Sequence, residues 1–585
     1  MEVNYKGREI YACFYEAVNG EAHKHKCKAC DKKLLQDLSK GYANLRDHVD
    51  RIHKDWQNTV RAFLIDNAGG PMDRFVVQPS PKAKNLYAWL TWIIEDNLPI
   101  SFVERKNTRA YTMLESISIN TAKKYMSHMK SLVQRRMRAI VPKTFGLIID
   151  GWTMGSVHYF GIFITWTDNK DTVREYLVYF GNGGDIDEDT VYEDGIDERD
   201  KFLGFSAADW FDVICEALND FLFGRELVIN IDTFKEYVEF ITMDNCAVNR
   251  KLARDSEVPM VGCASHRLHL AILEMLGKEE KRNRVGVVTE EGTDHMVLIQ
   301  KVDSLMGELV TLKNAVLLRT QTPLLPERRN RTRWYSIFNM LLKWLRIRNA
   351  VAAVQHFPVA VLNLIPTANE NAAIQHLVEI LKKFESVSKV LQRGGDRRVS
   401  VFIVRALFDK LISDFPSTPL SHIQKNADII ENKAFENGIC KIQGGIEQSL
   451  TREEKAAVAI FLRNDATNDD DDDVAAASET EGYGEDILRS AEKSKRARVL
   501  TSKYRSTAHV ASNSNIVERA NSRAKLILST QRRRMKSETV QMTLFLHQNK
   551  SLWPDARSVQ AILDEPLDLD EDPDAFEDDE DENDL

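Results

Sequence analysis

FGLIID at residues 145–150 opens the part of the sequence that decides the fold. HYFGIFITW at 158–166 and TVREYLVYF at 172–180 follow it, with glycine-rich breaks between the three stretches. Short runs of β-branched and aromatic residues bounded by glycine predict strands, and three in succession predict an antiparallel meander. After an acidic loop at 183–200 come a helix (SAADWFDVICEALNDFLF), a strand (VEFITMD), a helix (NCAVNRKLARD), a strand (VPMVGC) and a helix (SHRLHLAILEML). These segments alone predict an α/β core.

Helical regions are predicted on both sides of this core. Residues 1–60 form a short basic module, and Gly-Gly-Pro at 69–71 is typical of a linker. Apolar residues recur at spacings of three and four in 80–140 and in nearly all of 296–460, which predicts amphipathic helices. A final helical segment follows at 512–553. Several domains are therefore expected, in agreement with a length of 585 residues.

The net charge of −9 is concentrated in two acidic segments. Residues 465–486 contain 10 acidic residues and no basic residue, and residues 564–585 contain 14 acidic residues and no basic residue. Without these segments the net charge is +15, so the remaining chain is basic enough to attract phosphate groups. The aspartate run at 469–473 cannot bury enough apolar surface to fold. We therefore predict a disordered loop at 464–486 and a disordered acidic tail at 560–585.

Membrane and secreted proteins are disfavoured by two features. No run of about eighteen apolar residues is present, and the N-terminus lacks the basic start and apolar core of a signal peptide. The seven cysteines are odd in number and widely spaced, unlike a disulfide framework. We expect a protein of a reducing compartment that has no membrane partner.

A pattern of zinc ligands lies near the N-terminus. The candidate ligands are Cys27, Cys30, His48 and His53, in the arrangement C-x2-C-x17-H-x4-H. Two thiolates and two imidazoles complete the tetrahedral shell of a structural Zn²⁺, and closely spaced pairs restrict the chain conformations needed to reach it. The ordinary alternative is a chance pairing of cysteines and histidines in a polar segment. His23 and His25 are further histidines that could compete for a ligand position.

Two acidic residues end apolar runs that are predicted strands. Asp150 follows FGLII, and Asp244 follows VEFITM. A carboxylate at a place where the pattern predicts core needs a partner, because burying an unpaired charge is costly. Two acids that leave neighbouring strands at the same edge can share divalent cations, which favour oxygen ligands. The ordinary alternative is a turn or helix-capping role, for which Asp244 is well placed.

Five stretches form an ordered series along the chain. They are FGLIIDGWT, FITMDNCAVNRKLA, GCASHRLHLA, TRWYSIFNMLL and SNIVERANSRAKLILSTQRRRM. They resemble, in the same order, the successive motifs of hAT-superfamily DNA transposases, and the similarity covers roughly residues 20–555. The zinc pattern, with its long gap between the ligand pairs, resembles a BED-type finger. The order of strands and helices is similar to that of a ribonuclease-H-like core.

This resemblance implies an α+β multidomain protein with a ribonuclease-H-like mixed-sheet core that a large all-helical insertion interrupts. The implied domains are a BED-type zinc finger at 1–60, a helical DNA-binding or dimerisation domain at 80–140, the first part of the core at 141–334, the helical insertion at 335–505, the end of the core with a dimerisation segment at 506–555, and the acidic tail at 560–585.

The resemblance also implies a catalytic triad. Asp150 and Asp244 match its first two acids, and Glu518 in NIVER matches its third. Such carboxylates hold Mg²⁺ or Mn²⁺ ions, which activate a water or a 3′ hydroxyl and stabilise the departing oxygen. The ordinary alternative for Glu518 is a capping box, in which Asn515 caps a helix and Glu518 reaches back to it.

Further positions are implied contacts with double-stranded DNA. Trp334 matches an aromatic residue that stacks on an unpaired base, and Arg333 belongs to a basic cluster suited to phosphates. The ordinary alternative for Trp334 is a core tryptophan. Cys263 and His266 match a C-x2-H element, which we interpret as site architecture or a DNA contact instead of a second zinc site.

The finger and the last helical segment carry the remaining candidate partner contacts. Arg46 and Arg51 lie on the predicted histidine helix and are suited to phosphates. The last helical segment resembles the family's dimerisation region and implies a homodimer or a higher homo-oligomer. The apolar residues that suggest this are Ile516, Ala520, Ala524 and Ile527.

Two functions follow from these patterns. The first is a hAT-type transposase, or a transposase-derived protein, that performs two-metal phosphodiester cleavage and strand transfer. The alternative is a catalytically silent DNA-binding regulator of transcription or chromatin, and a scaffold with acidic tails comes third. One departure favours the alternative, because Asn521 stands where the family usually has an aromatic residue near the catalytic glutamate. A nuclear location is expected, with KSKRAR at 493–498 and QRRRMK at 531–536 as weak support.

Overall fold

The computed structural model contains two compact units, one within Met1–Ala88 and the other formed by Trp89–Trp553. The residues it describes are 5–18, 23–37, 41–54, 56–57, 59–60, 80–154, 157–181, 206–222, 228–279, 281–282, 288–330, 333–463, 482–496, 502–528, 535 and 537–554. Four predicted features lie outside them, namely the linker at 69–71, the acidic loop at 183–200, most of the acidic loop at 464–486 and the acidic tail at 560–585.

The first unit is a small three-stranded sheet with helices beside it. Its elements are α1 (Gly7–Phe14), β1 (Tyr15–Ala17), β2 (Lys24–Cys27), β3 (Lys33–Leu35) and α2 (Ala43–Ile52). The strands pair antiparallel in the order β1-β2-β3. Phe14, Leu45, Val49 and Trp56 belong to its apolar core. A core of this size buries little apolar surface, so a unit of this kind depends on added stabilisation such as a metal.

Helices precede the large sheet, as the spacing of apolar residues in 80–140 predicts. They are α3 (Pro81–Glu95), a 3-10 turn at Ile100–Glu104, α4 (Lys106–Tyr111) and α5 (Ile119–Ile140). Helix α5 begins after Ser118, whose hydroxyl accepts the Thr121 N–H at 3.0 Å. Met126, Met129, Val133 and Met137 form its buried stripe. This spacing of three or four residues is what places one face of a helix in a core.

A mixed five-stranded sheet forms the centre of the second unit. Its strands are β4 (Phe145–Met154), β5 (Val157–Thr167), β6 (Val173–Gly181), β7 (Val238–Met243) and β8 (Met260–Gly262). The spatial order is β6-β5-β4-β7-β8, with antiparallel pairing from β6 to β4 and parallel pairing from β4 to β8. The predicted meander and the α+β multidomain class are therefore confirmed. The continuous apolar run of β4 suits its central place, where both faces are covered.

The sheet is followed first by short helices and then by a large helical region. The helices between and after the strands are α6 (Ala207–Leu222), α7 (Phe234–Tyr237), α8 (Ala247–Asp255) and α9 (Ala264–Leu276). The helical region contains the strand pair β9 (Lys281–Arg282) and β10 (Val288–Glu290), then α10 (Asp294–Val310), α11 (Leu312–Arg319), α12 (Trp334–Ala353), α13 (Val359–Leu362), α14 (Ala368–Leu391), α15 (Val401–Asp414), α16 (Lys433–Gln443), α17 (Arg452–Ala457) and α18 (Tyr483–Arg496).

A buried ion pair joins the helical region to the sheet. Arg267 of α9 donates to Glu436 of α16 at 3.1 Å, and both side chains are under 10% exposed. Glu436 also accepts the N–H of Gly262 in β8 at 2.8 Å. Charges removed from water are tolerated only with this kind of pairing, so the pair specifies how α16 meets the edge of the sheet.

Helix α18 shortens the predicted disordered loop at 464–486. Its first residue, Tyr483, donates its hydroxyl hydrogen to Asp414 at 2.6 Å. Ile487 and Leu488 pack against the core of the helical region. The prediction was based on an acidic composition, to which the aspartates at 469–473 contribute most. The apolar residues Ile487 and Leu488, further along the chain, attach α18 to the core.

The last two helices, α19 (Asn515–Ile527) and α20 (Ser537–Gln548), pack on one face of the large sheet. Ala520, Ala524 and Ile527 are buried with Ile148 and Phe163 of the strands. These residues suggested a dimerisation surface, but their apolar spacing is satisfied within the chain. A helix that packs on a sheet and one that packs on a partner need the same spacing, so the pattern could not separate the two.

Within the described ranges, no helix combines the length and the apolar character needed to cross a bilayer.

Candidate functional site

The four predicted zinc ligands meet in the first unit. Cys27 ends β2, Cys30 lies in the turn before β3, His48 is buried in α2 and His53 follows that helix. Cys27 Sγ lies 3.4 Å from His53 Nε2, and Cys30 Sγ lies 3.3 Å from His48 Nε2. All four ligand atoms are within 4.8 Å of one another. Zinc bond lengths of about 2.0–2.3 Å place tetrahedral ligand atoms roughly 3.3–3.8 Å apart, so the group fits Zn²⁺.

The surrounding contacts separate these ligands from the two competing histidines. His25 is buried between the Tyr11 hydroxyl and the carbonyl oxygen of Gln36, each 3.0 Å away. His23 lies 3.8 Å from Asp37. Burial raises the pKa of the Cys27 thiol, so ionisation there is favoured only by a cation beside it. The ligand set is therefore Cys27, Cys30, His48 and His53, as the spacing predicts.

The two predicted phosphate contacts of the finger lie on α2, the helix that contains His48. Arg51 is exposed, and the side chain of Arg46 is 40% exposed and 3.9 Å from Asp50. A surface ion pair this long contributes little to stability. Both guanidinium groups are on the surface of the metal-binding unit.

The first two predicted acids lie on neighbouring parallel strands. Asp150 is inside β4, not at its end as predicted, because the strand continues to Met154 with alternating burial. Asp244 directly follows β7. Ile148 pairs with Thr242, so two further residues along each strand bring Asp150 and Asp244 to corresponding positions. The expectation that both acids meet at one edge of parallel pairing thus matches the register.

Glu518 comes to the same place on α19. The helix begins at Asn515 with Ser514 as its N-cap and without a side-chain capping hydrogen bond, so the capping-box alternative for Glu518 is not formed. Its neighbour Val517 packs over Gly161, the residue of β5 that pairs with Asp150. A Cβ on Gly161 would lie 2.8 Å from Val517 Cγ1, so glycine lets α19 approach the sheet here.

The charges of the other two carboxylates act on Asp150. Burial, together with the negative charges of Glu518 and Asp244, raises the pKa of Asp150 well above its ordinary value. Burial also raises the pKa of Glu518, while the charges of Arg333 and Arg519 oppose that rise. Crowded carboxylates carry negative charge that a cation would relieve.

The donor atoms of these acids differ from those of the zinc group, which combines two thiolates with two imidazoles. Asp150, Asp244 and Glu518 would hold divalent cations through carboxylate oxygens alone. The donors are all oxygens, which suits Mg²⁺ or Mn²⁺ better than Zn²⁺.

Local hydrogen bonds orient Asp244. Its Oδ1 accepts from the N–H of Cys246 at 3.3 Å and from the side-chain amide of Asn249. The actual N-cap of α8 is Cys246, whose sulfur accepts the Asn249 N–H at 3.5 Å. Asp244 thus forms part of the turn before α8, as the capping alternative proposes, while its carboxylate still acts on Asp150.

A return segment, defined as residues 502–514, carries the chain from the helical region back to α19. Thr242 of β7 donates its hydroxyl hydrogen to the carbonyl oxygen of Ala511 at 2.9 Å. The N–H of Ala264 donates to Ser512 at 2.9 Å, and the N–H of Ser514 points to Cys263 Sγ at 3.5 Å. The segment before Glu518 is therefore bonded to the strand that ends at Asp244.

A buried polar group holds the middle of the return segment. His509 Nε2 lies 3.0 Å from Glu239 of β7, and its Nδ1 lies 2.9 Å from the Thr167 hydroxyl. Arg505 donates to the other oxygen of Glu239 at 2.6 Å. Burial lowers the pKa of His509, so the neutral ring donates from Nε2 and accepts from Thr167. Burial opposes ionisation of Glu239 too, but the His509 hydrogen bond and the Arg505 charge lower its pKa to about 2.

The C-x2-H pair lies beside the acids. Cys263 is 1% exposed and is the N-cap of α9. Burial and the charge of Glu518 raise its pKa to about 11, so the thiol stays protonated at neutral pH. Burial lowers the pKa of His266, while the charge of Asp244 opposes that shift. Both residues border the carboxylates, which suits the predicted role in site architecture.

The basic cluster before α12 divides into different environments. Arg333 is exposed and close enough to Glu518 to lower its pKa. Arg329 is buried and paired with Glu279 at 2.6 Å and with Asp303 at 3.4 Å, so it is a structural residue. Trp334 is 6% exposed and packs on Tyr335 and Phe338, as the core-tryptophan alternative requires. A base cannot stack on Trp334 in this conformation.

Asn521 is one of two buried asparagines of α19, the other being Asn515 at the first position of the helix. Asn521 is 6% exposed, and its carbonyl oxygen has no hydrogen-bond partner in the described part of the chain. An unpaired buried amide oxygen costs about 1–3 kcal/mol. The departure seen in the sequence therefore weakens the packing of the helix that carries Glu518.

Some residues that shape this site were not identified from the sequence. Gly161 had a signal, because a glycine inside a strand often marks a close backbone approach. Glu239 and His509 are 270 positions apart, and no local pattern joins them.

The sequence matches no protein-family model and no curated protein.

Proposed function

We propose that this protein binds double-stranded DNA and cleaves and transfers its strands as a hAT-type transposase or a protein derived from one. The observation that carries the proposal is geometric: the register of β4 and β7 places Asp150 and Asp244 at corresponding positions, and Val517 beside Glu518 packs over Gly161, the partner of Asp150. Carboxylates with perturbed pKa values mark candidate functional sites, and carboxylates that hold divalent metals are typical of phosphodiester chemistry.

The donor set suits hard divalent cations. Asp150, Asp244 and Glu518 would hold Mg²⁺ or Mn²⁺, which when bound supplies Lewis-acid activation of the attacking oxygen and charge stabilisation of the leaving oxygen. The protein itself positions the three carboxylates, because β4, α8 and α19 are held in place by their buried residues. Arg333 supplies a positive charge beside Glu518, where a phosphate group would be attracted.

The zinc unit contributes to the proposal as a DNA-binding module. Zn²⁺ bound by the Cys27 group would fix α2, and Arg46 and Arg51 would then meet phosphates. Self-association and a nuclear location are part of the same proposal. The helix α18 contains part of the 493–498 cluster, whereas most of 531–536 lies outside the described residues.

A second function is favoured by Asn521. The unpaired amide oxygen of Asn521 weakens the packing of α19 on the sheet. Glu518 would therefore be held less firmly than catalysis requires. The chain would then bind DNA without cutting it and act as a regulator. The two proposals share the zinc unit and differ in whether the carboxylates react.

The experiment is Mn²⁺-dependent cleavage of plasmid DNA by the full-length protein. Asp150→Asn, Asp244→Asn and Glu518→Gln should each abolish nicking, and a double variant should be no worse than a single one, because residues that act as a unit are not additive. Asp255→Asn is the matched control, since this exposed acid on α8 is paired with Lys251 at 2.6 Å. DNA binding without nicking, unchanged in all variants, would support the regulator.

A further inference from the structure

A loop, defined as residues 111–118 and beginning at the last residue of α4, presents two apolar side chains to solvent. Tyr111 is 87% exposed and Met113 is 102% exposed. They are the two most exposed of the large hydrophobic side chains among the described residues. Thr112 between them is extended, with φ −86° and ψ 149°, so the helix ends at Tyr111 and Met113 lies beyond it.

Hydrogen bonds hold this loop in place from several sides. The indole N–H of Trp89 donates to the carbonyl oxygen of Glu115 at 2.9 Å. Arg109 donates to the carbonyl oxygen of Ile117 at 3.3 Å, and the N–H of Ile119 donates to Glu104 at 2.9 Å. A loop fixed in this way exposes its apolar residues as a constant feature of the surface.

The stretch of sequence that contains the loop is strongly basic, although Glu115 is exposed within the loop itself. Residues 100–140 contain nine lysines and arginines and two acids, and α5 contains six basic residues and no acid. Of the two acids, Glu104 is engaged by the N–H of Ile119 and lies 3.9 Å from Arg109. Arg105 and Lys106, at the start of α4, are exposed. A surface of this charge attracts a polyanion and disfavours a second copy of itself.

We propose that Tyr111 and Met113 form an apolar wedge that enters double-stranded DNA between neighbouring bases, while the basic residues around the loop hold the phosphates. Proteins that distort DNA insert apolar side chains into base steps in this way, and aromatic rings stack on the bases they expose. This inference rests on the proposed DNA binding. It adds a contact that lies outside both the zinc unit and the carboxylates.

The wedge is tested with the full-length protein and two duplexes of the same mixed sequence. One is fully paired, and the other carries a single unpaired adenine, which lowers the cost of unstacking. The wild-type protein should bind the bulged duplex about tenfold more tightly, as expected for one stacked base. In the variant Tyr111→Ala/Met113→Ala this ratio should fall to about one, with little change for the paired duplex.

Two control variants separate the wedge from other effects. Leu312→Ala removes a side chain that is 83% exposed on α11, outside the basic segment, and should leave both affinities unchanged. Arg105→Ala/Lys106→Ala should weaken binding to both duplexes equally and reduce the salt dependence, while the ratio stays near that of the wild type.

Several results would overturn the inference. A wild-type ratio near one, or an unchanged ratio in the double alanine variant, removes the wedge while leaving DNA binding intact. A shift from dimer to monomer in sedimentation, with the ratio unchanged, assigns the loop to a contact between copies of the chain. Complete failure of the wild-type protein to bind DNA refutes the proposed function itself, and the wedge with it.

Discussion

The zinc group and the carboxylate group represent two different ways to build a site. The four zinc ligands come from a single stretch of 27 residues, on elements that form a small core. The three carboxylates come from positions 150, 244 and 518, on elements that meet only when the large sheet is complete. In the first group a bound metal would hold the chain in place, whereas in the second the folded chain would hold the metal.

The comparison can be broken most strongly at the zinc ligands. Cys27→Ser, or removal of metal by a chelator, should unfold the first unit, since structural zinc contributes roughly 10–16 kcal/mol of binding free energy to folding. Peptides containing Leu45 and Val49 should lose protection from hydrogen exchange. Peptides from Trp89–Trp553 should keep theirs, because their core does not depend on zinc.

Cys13→Ser is the matched control for this change. Cys13 belongs to the same unit but is not among the clustered ligands. The control should retain one zinc ion per chain, measured by metal analysis. Full zinc content and full protection in Cys27→Ser would contradict the assignment of the ligand set.

The structure that holds the second group should become less stable in acid, through protonation of Glu239. The pKa of Glu239 is lowered to about 2 in the folded protein, from an ordinary value of 4.5. Its stabilising contribution is therefore complete above about pH 4.5 and is lost as the pH falls towards 2, an effect of about 3 kcal/mol. Glu239→Gln should remove this part of the acid sensitivity of the free energy of unfolding, measured by denaturant titration between pH 5 and pH 2.

The variant Glu257→Gln tests whether the burial of Glu239 is the cause of this acid sensitivity. Glu257 pairs with Lys235 on the surface, where water screens the charge, so its substitution should hardly alter the acid sensitivity. Equal effects of the two substitutions would show that the return segment is not held by the buried Glu239 group.

The smallest expected effect concerns the approach of α19 to the sheet. Gly161→Ala places a Cβ 2.8 Å from Val517 Cγ1 and 3.3 Å from Phe180, and overpacking of this kind costs about 1–3 kcal/mol. The substitution should lower the free energy of unfolding and, by displacing Glu518, reduce any nicking activity. The double variant Gly161→Ala/Val517→Ala should recover part of both losses, because it removes the clashing methyl groups.

Gly307→Ala gives the comparison for an unhindered glycine. A Cβ at Gly307 in α10 would lie 3.5 Å from Arg328, an ordinary contact, and alanine favours a helix. This variant should be neutral or more stable. A similar loss in both glycine variants would mean that the close approach at Gly161 has no special cost.

Local patterns account for what could be predicted from the sequence. FGLIID, HYFGIFITW and TVREYLVYF became the three antiparallel strands because their apolar runs and glycine breaks act within a few residues of chain. The zinc ligands could be predicted for the same reason, since C-x2-C and H-x4-H are short-range constraints. The rule that parallel strands end at one edge predicted the place of Asp244, whereas β4 continues past Asp150 and the register of the two strands brings the acids to corresponding positions.

The remaining features depend on contacts between distant parts of the chain. Trp334 and Arg329 occur in a segment that suggests DNA contact, yet the helical core buries both. The apolar positions of α19 cover the sheet of the same chain, which periodicity alone could not tell from a partner surface. The neutral His509 and its bond to Glu239 join positions that only the folded return segment brings together.

The return segment also means that the carboxylate group is completed late during synthesis on the ribosome, because it leads to Glu518 from far along the chain. Asp150 and Asp244 are in place once the sheet has formed, but Glu518 follows Asp244 by 274 residues. At about 5–20 residues per second, roughly 15–55 seconds of synthesis separate the second carboxylate from the third. The first unit is complete long before that, so a growing chain has its metal-binding module while its acidic cluster still lacks one member.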